Sequence, residues 1–326
     1  DGDIKNLLQG AINGAEAVMN SGIYSIGNTY NALFTTDDLA NNPEVIWYRE
    51  YTSGLQCNAL MSYNGPEDQT QGGVTQDVIN TYLCSDGLPI GQSPLYQGKE
   101  DPSIQKSFQD RDPRLYQTVA DSLRIMSAMG TNYTEGTSPT GYPTKKFLND
   151  EWWVAGLDYC TGRLSPADAP CIRYAEVLLN YAEAVFERDE AISDEDLNIS
   201  LNLVRNRINT QMPKLTNSFA QTYGLDMRTE IRRERTVELF NEGFRIDDLK
   251  RWKTAETEMP QNILGIKWTG TEYQTRWPNA SYSKNSDGFL IIESGRKWED
   301  KHYLYPLPTD QLQLNPNLKQ NPGWGE

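Results

Sequence analysis

The sequence predicts a mainly helical protein, with tetratricopeptide-like helix pairs forming an α/α superhelix, long irregular loop regions and little β structure. Three observations predict it. Residues 171–189, CIRYAEVLLNYAEAVFERD, place Tyr174, Val177, Leu178, Tyr181, Ala182 and Val185 on one broad apolar face at helical spacing. A second helical pattern, 193–209, follows after a short turn, with Ser193 and Asp196 spaced like a capping box. Small residues, Ala175, Ala182 and Ala184, let the two helices approach closely, as in stacked helix-pair repeats.

The other elements follow in chain order. Residues 4–20 space Ile4, Leu8, Ala11, Ile12, Ala15 and Met19 for a helix that ends at Asn20-Ser21-Gly22. YSIGNTYNALF then reads as a turn into a short helix or loop. From Pro43 to about Asp168 the chain is rich in Gly, Pro, Asn, Thr and Tyr, and only short elements fit. EVIWYREY (44–51) reads as a strand, and QDVINTYLC (76–84) as a short helix capped by Thr75. A long irregular stretch that keeps its aromatics is expected to be a functional surface. Residues 226–242 form a further helix, interrupted at Gly243, and IDDLKRW continues for another turn or two. Four prolines in the tail after Tyr303 forbid a long helix, so an extended segment pinned over the body is expected.

Composition narrows function. The chain has 326 residues, enough for one large or two small domains. Its mean hydropathy of −0.66 is low, but aromatics reach 10%, which argues against disorder. Tyr (18) and Trp (8) are plentiful, and their apolar faces and polar edges suit wet binding surfaces. A net charge of −15 argues against nucleic acid, which needs clustered Lys and Arg. No basic amphipathic segment points to a membrane surface. No apolar run reaches the length of about 20 residues that a transmembrane helix needs, and the opening DGDIKNLLQG has no signal-peptide pattern. With one histidine, His302, a zinc site would need cysteines, and Cys57, Cys84, Cys160 and Cys171 form no C-x-x-C pair. Cys160 and Cys171 close a short loop compatible with either a disulfide or free thiols.

RRERTVELFNEGFRIDDLKRWKTAE (232–256) belongs to a stripe of Glu230, Glu234, Glu238 and Glu242 at four-residue steps, although like charges at that spacing repel on a helix. The stripe would span roughly 18 Å, too far for one metal or one scissile bond, although two neighbours could form a catalytic pair. Arg233, Arg235 and Arg245 sit at neutralising offsets, so structural acids are expected.

The residues then carry a resemblance. DVINTYLCSDGLPI, FQDRDPRLYQTV, TGYPTKKF, IRYAEVLLNYAEA, IRRERTVELFNEGFRIDDLKRW and YLYPLPTDQLQLNPNLKQNPGW, in that order, resemble the SusD/RagB family over nearly the whole chain. The resemblance implies a surface-exposed outer-membrane lipoprotein. Such a protein captures oligosaccharides or polysaccharides, or peptides in some members, for a SusC-like TonB-dependent transporter. It implies one SusD-like domain over 1–326 that lacks the N-terminal part usual in the family, where the lipid anchor lies, so the chain looks like the C-terminal two-thirds. Within it, 45–160 is expected to be the ligand-binding loop region and 171–252 the helical scaffold.

Sugar capture needs aromatic platforms for the apolar face of a pyranose and polar groups for its hydroxyls. In the irregular region the candidates are Trp47, Tyr63, Tyr82, Tyr96, Trp152 and Trp153, with Asn64, Asp68, Gln69 and Asp86 as polar neighbours. Core packing is the competing reading for each aromatic. Trp268, Tyr273 and Trp277 form a second aromatic loop, suited to a groove or to the transporter. Asp86, in an SDG turn, is a candidate calcium ligand, although no complete calcium loop is present. His302 has no nucleophile beside it in sequence, and no phosphate loop occurs. The expectation is a non-catalytic glycan captor with no cofactor. The alternatives are a peptide or glycopeptide captor, a helical glycoside hydrolase using two of Glu234, Glu238 and Glu242, and an assembly protein that touches no substrate.

Overall fold

The computed structural model describes residues 2–27, 29–64, 73–119, 138–157, 159, 162–208 and 212–325, with only the backbone at positions 63, 64, 153, 154 and 276. It is mainly helical, and its two sheets have two strands each. Helix α1 spans Gly2–Met19, strand β1 Val45–Arg49 and helix α2 Gln76–Thr81. Thr75 caps α2, its hydroxyl accepting from the Val78 amide as its place before the helix predicts.

The helix expected over 171–189 starts later. Strand β2 takes Ala169–Arg173 and pairs antiparallel with β1, and α3 runs Tyr174–Asp189. Its apolar face is buried as the spacing predicts, with Leu178, Leu179 and Ala182 sealed from solvent. Helix α1 packs along it, and Met227–Glu238 and Leu201–Arg205 pack against it too. Together these elements bury Ile12, Ala15, Leu197, Leu201, Val204 and Ile231 around α3.

The helix expected over 193–209 is two short ones, α4 (Asp194–Ile199) and α5 (Leu201–Arg205). They are broken at Ser200, whose backbone at φ −132°, ψ −97° is not helical. Ser193 caps α4 by accepting from the Asp196 amide at 3.0 Å. Helix α6, Met227–Glu238, stops four residues before Glu242, because Asn241 (φ 59°) and Gly243 (φ 90°) turn the backbone left-handed. Helix α7 follows at Arg245–Arg251.

The glutamate stripe resolves into a buried ion network. Arg233 pairs locally with Glu230 at 3.2 Å, as its offset predicts. The other two expected partners do not. Arg235 binds Asp248 at 2.9 Å and Asn180 at 2.8 Å, and Arg245 donates to the Thr236 hydroxyl. The cations that meet the stripe come from remote segments. Arg114 reaches Glu234 at 2.6 Å, Glu238 at 3.1 Å and Asp112 at 2.7 Å. Arg173 reaches Glu238 at 2.6 Å, Glu44 at 3.0 Å and Glu242 at 2.7 Å. Arg207 reaches Glu238 at 3.0 Å and also Glu44, and Lys146 reaches Glu242 at 2.7 Å. Tyr30 donates to the Glu238 carbonyl at 2.6 Å and accepts from Lys146 at 2.8 Å.

Burial alone would raise the Glu238 pKa, but Arg207, Arg173 and Arg114 together hold it down at about 2. Burial pushes Lys146 down to about 8 against the pull of Glu242. The tail is pinned as expected, by cation–aromatic contacts and by a tryptophan. Lys250 lies over Tyr305 at 3.6 Å and Lys253 over Tyr303 at 3.5 Å. The Trp324 indole donates to the carbonyls of Lys301 and Leu304.

Two predictions follow from the network. Glu238→Gln keeps the shape but leaves three guanidinium groups short of charge, so it should cost about 3–5 kcal/mol in urea unfolding. A value near zero would show that the network is not needed to hold the fold. Glu238 titrates lower folded than unfolded, so its contribution is complete above about pH 4.5 and is lost as pH falls toward 2. Glu242, which burial would raise but Arg173 and Lys146 lower, acts in the same direction, whereas Glu230, raised chiefly by burial, opposes it. Acid titration by circular dichroism should therefore place unfolding inside that window in the native chain. In Glu238→Gln the acid-dependent loss should shrink.

Candidate functional site

The residues singled out in the 45–160 region take different places. Trp47 stands on β1 opposite Ile172 and is 61% exposed. Trp152 is half-buried, with the Tyr159 ring edge-on at 5.2 Å. Tyr96 is half-buried, and the Arg111 guanidinium lies 5.4 Å from its centroid. Tyr82 is the correction. It is fully buried in the cluster of Ile79, Phe108, Leu115 and Val119, so no face of its ring is open to a sugar. Its position at the end of an amphipathic helix favoured the core over the platform. Tyr63 and Asn64 close the short helix Leu60–Asn64, and Trp153 lies in Asp150–Val154. The side chains of these three residues, like all of Asp68, Gln69 and Cys160, lie outside the described residues. Cys57, Cys84 and Cys171 are free thiols.

Asp86 spends its carboxylate within its own turn, accepting from Ser93 Oγ at 2.7 Å and from the Leu88 amide at 3.1 Å. Among the described residues no group of three or more His, Cys, Asp or Glu is arranged to hold a metal. His302 is tied into the tail. Its Nδ1 accepts from the Glu299 amide at 2.9 Å, and its ring lies between Trp298 and Trp324. Glu238, fully buried and held near 2, has no proton to give at neutral pH and no path to a substrate, which removes it as a general acid.

The second aromatic loop builds a pocket instead. Strand β3, Ile263–Lys267, pairs antiparallel with β4, Phe289–Glu293, and the chain between them carries the aromatics. The short helix Glu272–Arg276 sets Tyr273 and Trp277 one helical turn apart. Trp268, Tyr273 and Trp277 stack with centroids 6.1–6.5 Å apart and planes within 12–27° of one another. Tyr282 crosses them, 4.9 Å from Trp268 at 77°. Trp268 and Tyr273 are buried, Trp277 is half-buried and Tyr282 is 53% exposed.

These rings line a cavity of about 520 Å³ with Ser138, Ser281, Ser283, Ile266 and Leu290. That size lies within the range of about 300–1,000 Å³ usual for small-molecule sites. None of Trp47, Tyr82, Tyr96 and Trp152 lines it. The sequence offered Trp268, Tyr273 and Trp277 as a group. Tyr282 and the serines were missed, because only the pairing of β3 with β4 brings them round.

The floor depends on close backbone approach. The Ile266 amide donates to the Thr140 carbonyl at 2.8 Å, and a Cβ on Gly265 would lie 2.5 Å from that same oxygen. Gly141, at φ 81°, lies against Ile266 with no room for a Cβ. TGYPTKKF is thereby threaded under the pocket, with Tyr142 buried and its hydroxyl on Gln76 at 2.7 Å.

A sequence model of the SusD family matches residues 43–324. The chain belongs to the SusD family. No curated relative matches its sequence. Among solved structures, a SusD-like carbohydrate-binding protein from Bacteroides fragilis is similar at 26% identity and a TM-score of 0.78, over 97% of this chain and 62% of that one. A second SusD-like protein from the same species matches at 22% and 0.66, over 99% and 63%. Surface glycan-binding protein A from Bacteroides fluxus matches at 18% and 0.59, over 99% and 59%. The last two likenesses speak for the fold alone. This SusD-family chain thus spans about three-fifths of the length of each of these structures.

The glycines give a prediction. Gly265→Ala should cost about 1–3 kcal/mol in thermal unfolding, because the neighbour it strikes is backbone. Gly10→Ala, with nothing within 4 Å, should be neutral or stabilising. Equal behaviour of the two would mean that the 138–142 segment does not hold β3 as described.

Proposed function

We propose that this SusD-family chain is the sugar-capturing part of a cell-surface lipoprotein of the outer membrane. It holds oligosaccharides without turning them over and passes them to a SusC-like TonB-dependent transporter. The observation that carries the reading is the pocket of stacked rings and serine hydroxyls between β3 and β4. A pyranose offers a ring an apolar C–H face, and its rim of hydroxyls needs short polar partners. Family membership supports the reading, as does the similarity to a structure described as carbohydrate-binding. No helix among the described residues is long and apolar enough to cross a membrane.

Capture for handover favours weak binding. A micromolar or poorer Kd, about −8 kcal/mol or smaller in magnitude, allows release to the transporter. The loops of 45–160, with Trp47, Tyr96, Trp152, Trp153, Tyr63 and Asn64, form part of the same ligand-facing region in this proposal. The helices of 171–252 form its scaffold.

The test is calorimetric titration with plant, mucin and microbial polysaccharides, run beside a reducing-end assay. Saturable heat, no reducing-end release, and weaker binding by Trp277→Ala are the expected outcome. Turnover of any bound glycan would sink the non-catalytic part. Silence from this chain and from the full-length protein alike would sink capture itself.

A further inference from the structure

We propose that a second cavity, walled by the end of α7 and the C-terminal tail, takes an acidic saccharide by its carboxylate or sulfate groups. The inference goes beyond the capture reading, because it concerns another cavity and does not rest on the rings between β3 and β4. Its ground is a convergence of cations that the fold leaves without counter-charge. Lys250, Arg251, Lys253 and Lys301 line one cavity of about 850 Å³, with only Asp247 and Asp300 among its acids. The lining is therefore positive in a chain whose net charge is −15.

The four cations are not equivalent. Arg251 is committed to Asp248 at 2.7 Å and to Glu183, and Lys301 pairs with Glu299 at 3.0 Å. Lys250 and Lys253 form no ion pair among the described residues. Each ammonium rests on a ring instead, Lys250 on Tyr305 at 3.6 Å and Lys253 on Tyr303 at 3.5 Å. A ring attracts an ammonium without cancelling its charge. It also meets only one side of the group, so N–H donors on the other side stay free for an oxyanion.

Lys253 is placed against local preference. It lies just past α7 at φ 58°, where its amide donates to the Lys250 carbonyl at 3.1 Å and the Thr254 amide to the Leu249 carbonyl at 3.0 Å. Glycine is the usual residue at such a left-handed helix end, and the Cβ of a lysine is strained there. Strained positions of this kind gather at functional sites.

The facing wall is fixed as well. The Trp324 indole donates to the Lys301 carbonyl at 2.9 Å and the Asn321 amide group to the Tyr305 carbonyl at 2.6 Å. A Cβ on Gly323 would lie 2.7 Å from that of Lys301, so the two runs of the tail touch beside the cavity. The Tyr303 hydroxyl donates to Glu256 at 3.0 Å, which holds the ring under Lys253. Leu304 and Pro322 add apolar surface to the lining. The space far exceeds a lone ion. A sugar-sized body that turns its C–H groups to the apolar wall and its acid to the two lysines suits it.

The test is calorimetry on the native chain with an oligogalacturonate, a sulfated oligosaccharide, a neutral oligosaccharide of the same length and inorganic sulfate. The same ligands are run on Lys250→Gln and Lys253→Gly. Glycine relieves the left-handed strain at 253, so that variant should keep its thermal stability, and Lys250→Gln tests the site without touching the turn. The expected result is saturable binding of at least one acidic saccharide, weakened about tenfold in each variant. Salt at about 1 M, where the Debye length is about 3 Å, should weaken it severalfold in the native chain. The neutral saccharide should show no dependence on either lysine.

Acidic-saccharide binding that ignores both substitutions would overturn the inference, as would no binding of either acidic ligand. An affinity for the acidic saccharides no tighter than for inorganic sulfate would mean an adventitious ion only. Loss of thermal stability in Lys253→Gly, with binding unchanged in Lys250→Gln, would leave the lysines as clamps on the tail and overturn it too. None of these outcomes bears on capture at the β3–β4 pocket, which the neutral polysaccharides and Trp277→Ala decide.

Discussion

Glu238 is the residue on which the described structure turns. Its carboxylate receives Arg114, Arg173 and Arg207, and its carbonyl receives Tyr30 and Arg173. Those partners come from four stretches remote from one another in sequence. Glu44, Glu234 and Glu242 extend the same network by sharing its guanidinium groups. Buried pairs need not add stability over a well-packed apolar core, since desolvation offsets much of their attraction. They are directional, however, and this chain needs direction. The sheets among the described residues have two strands each, and most of the described residues of 43–168 lie outside a continuous ladder that would fix register. A carboxylate that is satisfied only when three particular arginines arrive defines one arrangement.

The same logic runs through the irregular region at smaller scale. Arg111 is buried and donates to the carbonyls of Ile79, Tyr82, Leu83 and Ser107. Buried carbonyls outside helices and sheets must find donors. One guanidinium does that work for two short helices and the turn between them. Arg251 does something similar at the far end, joining Asp248 of α7 to Glu183 of α3. A chain that is poor in long elements uses arginine where other folds use backbone.

This explains what was legible in the sequence. Long amphipathic faces announced themselves: α1 and α3 lie close to where their apolar spacing put them, and the Thr75 and Ser193 caps hold. The stripe was legible as structural, but its partners were not. Arg233 found Glu230 because that pair is local, whereas Arg114, Arg173 and Arg207 meet Glu238 only through the tertiary fold. Element ends were missed where local chemistry overrode periodicity. Residues 169–173 pair with β1 before α3 can begin, and a left-handed Asn241 stops α6 short of Glu242. Tyr82, a platform candidate with core packing as its competing reading, went to the core because it continues the buried face of α2 that Ile79 begins.

The motifs that carried the family resemblance are largely those that supply the network. Arg114 and Asp112 come from FQDRDPRLYQTV, Lys146 from TGYPTKKF, Arg173 from IRYAEVLLNYAEA, and the acids from IRRERTVELFNEGF. The pocket touches them only at Gly141 of TGYPTKKF, and its other lining residues lie outside the motifs. The two are still coupled. Val237 of α6, one residue from Glu238, packs in the same buried cluster as Trp268, Tyr273 and Tyr142. Thr140 and Gly141, which floor the pocket, stand a few residues before Lys146, which the network grips. The helix that carries Glu238 therefore packs in one core with rings that line the pocket. Tyr282, farther along the β3–β4 connection, lies more than half exposed beside Ser283, whose carbonyl accepts from the Ile291 amide of β4. Substitution at Tyr282 can therefore change the mouth of the pocket without touching the charges of the network.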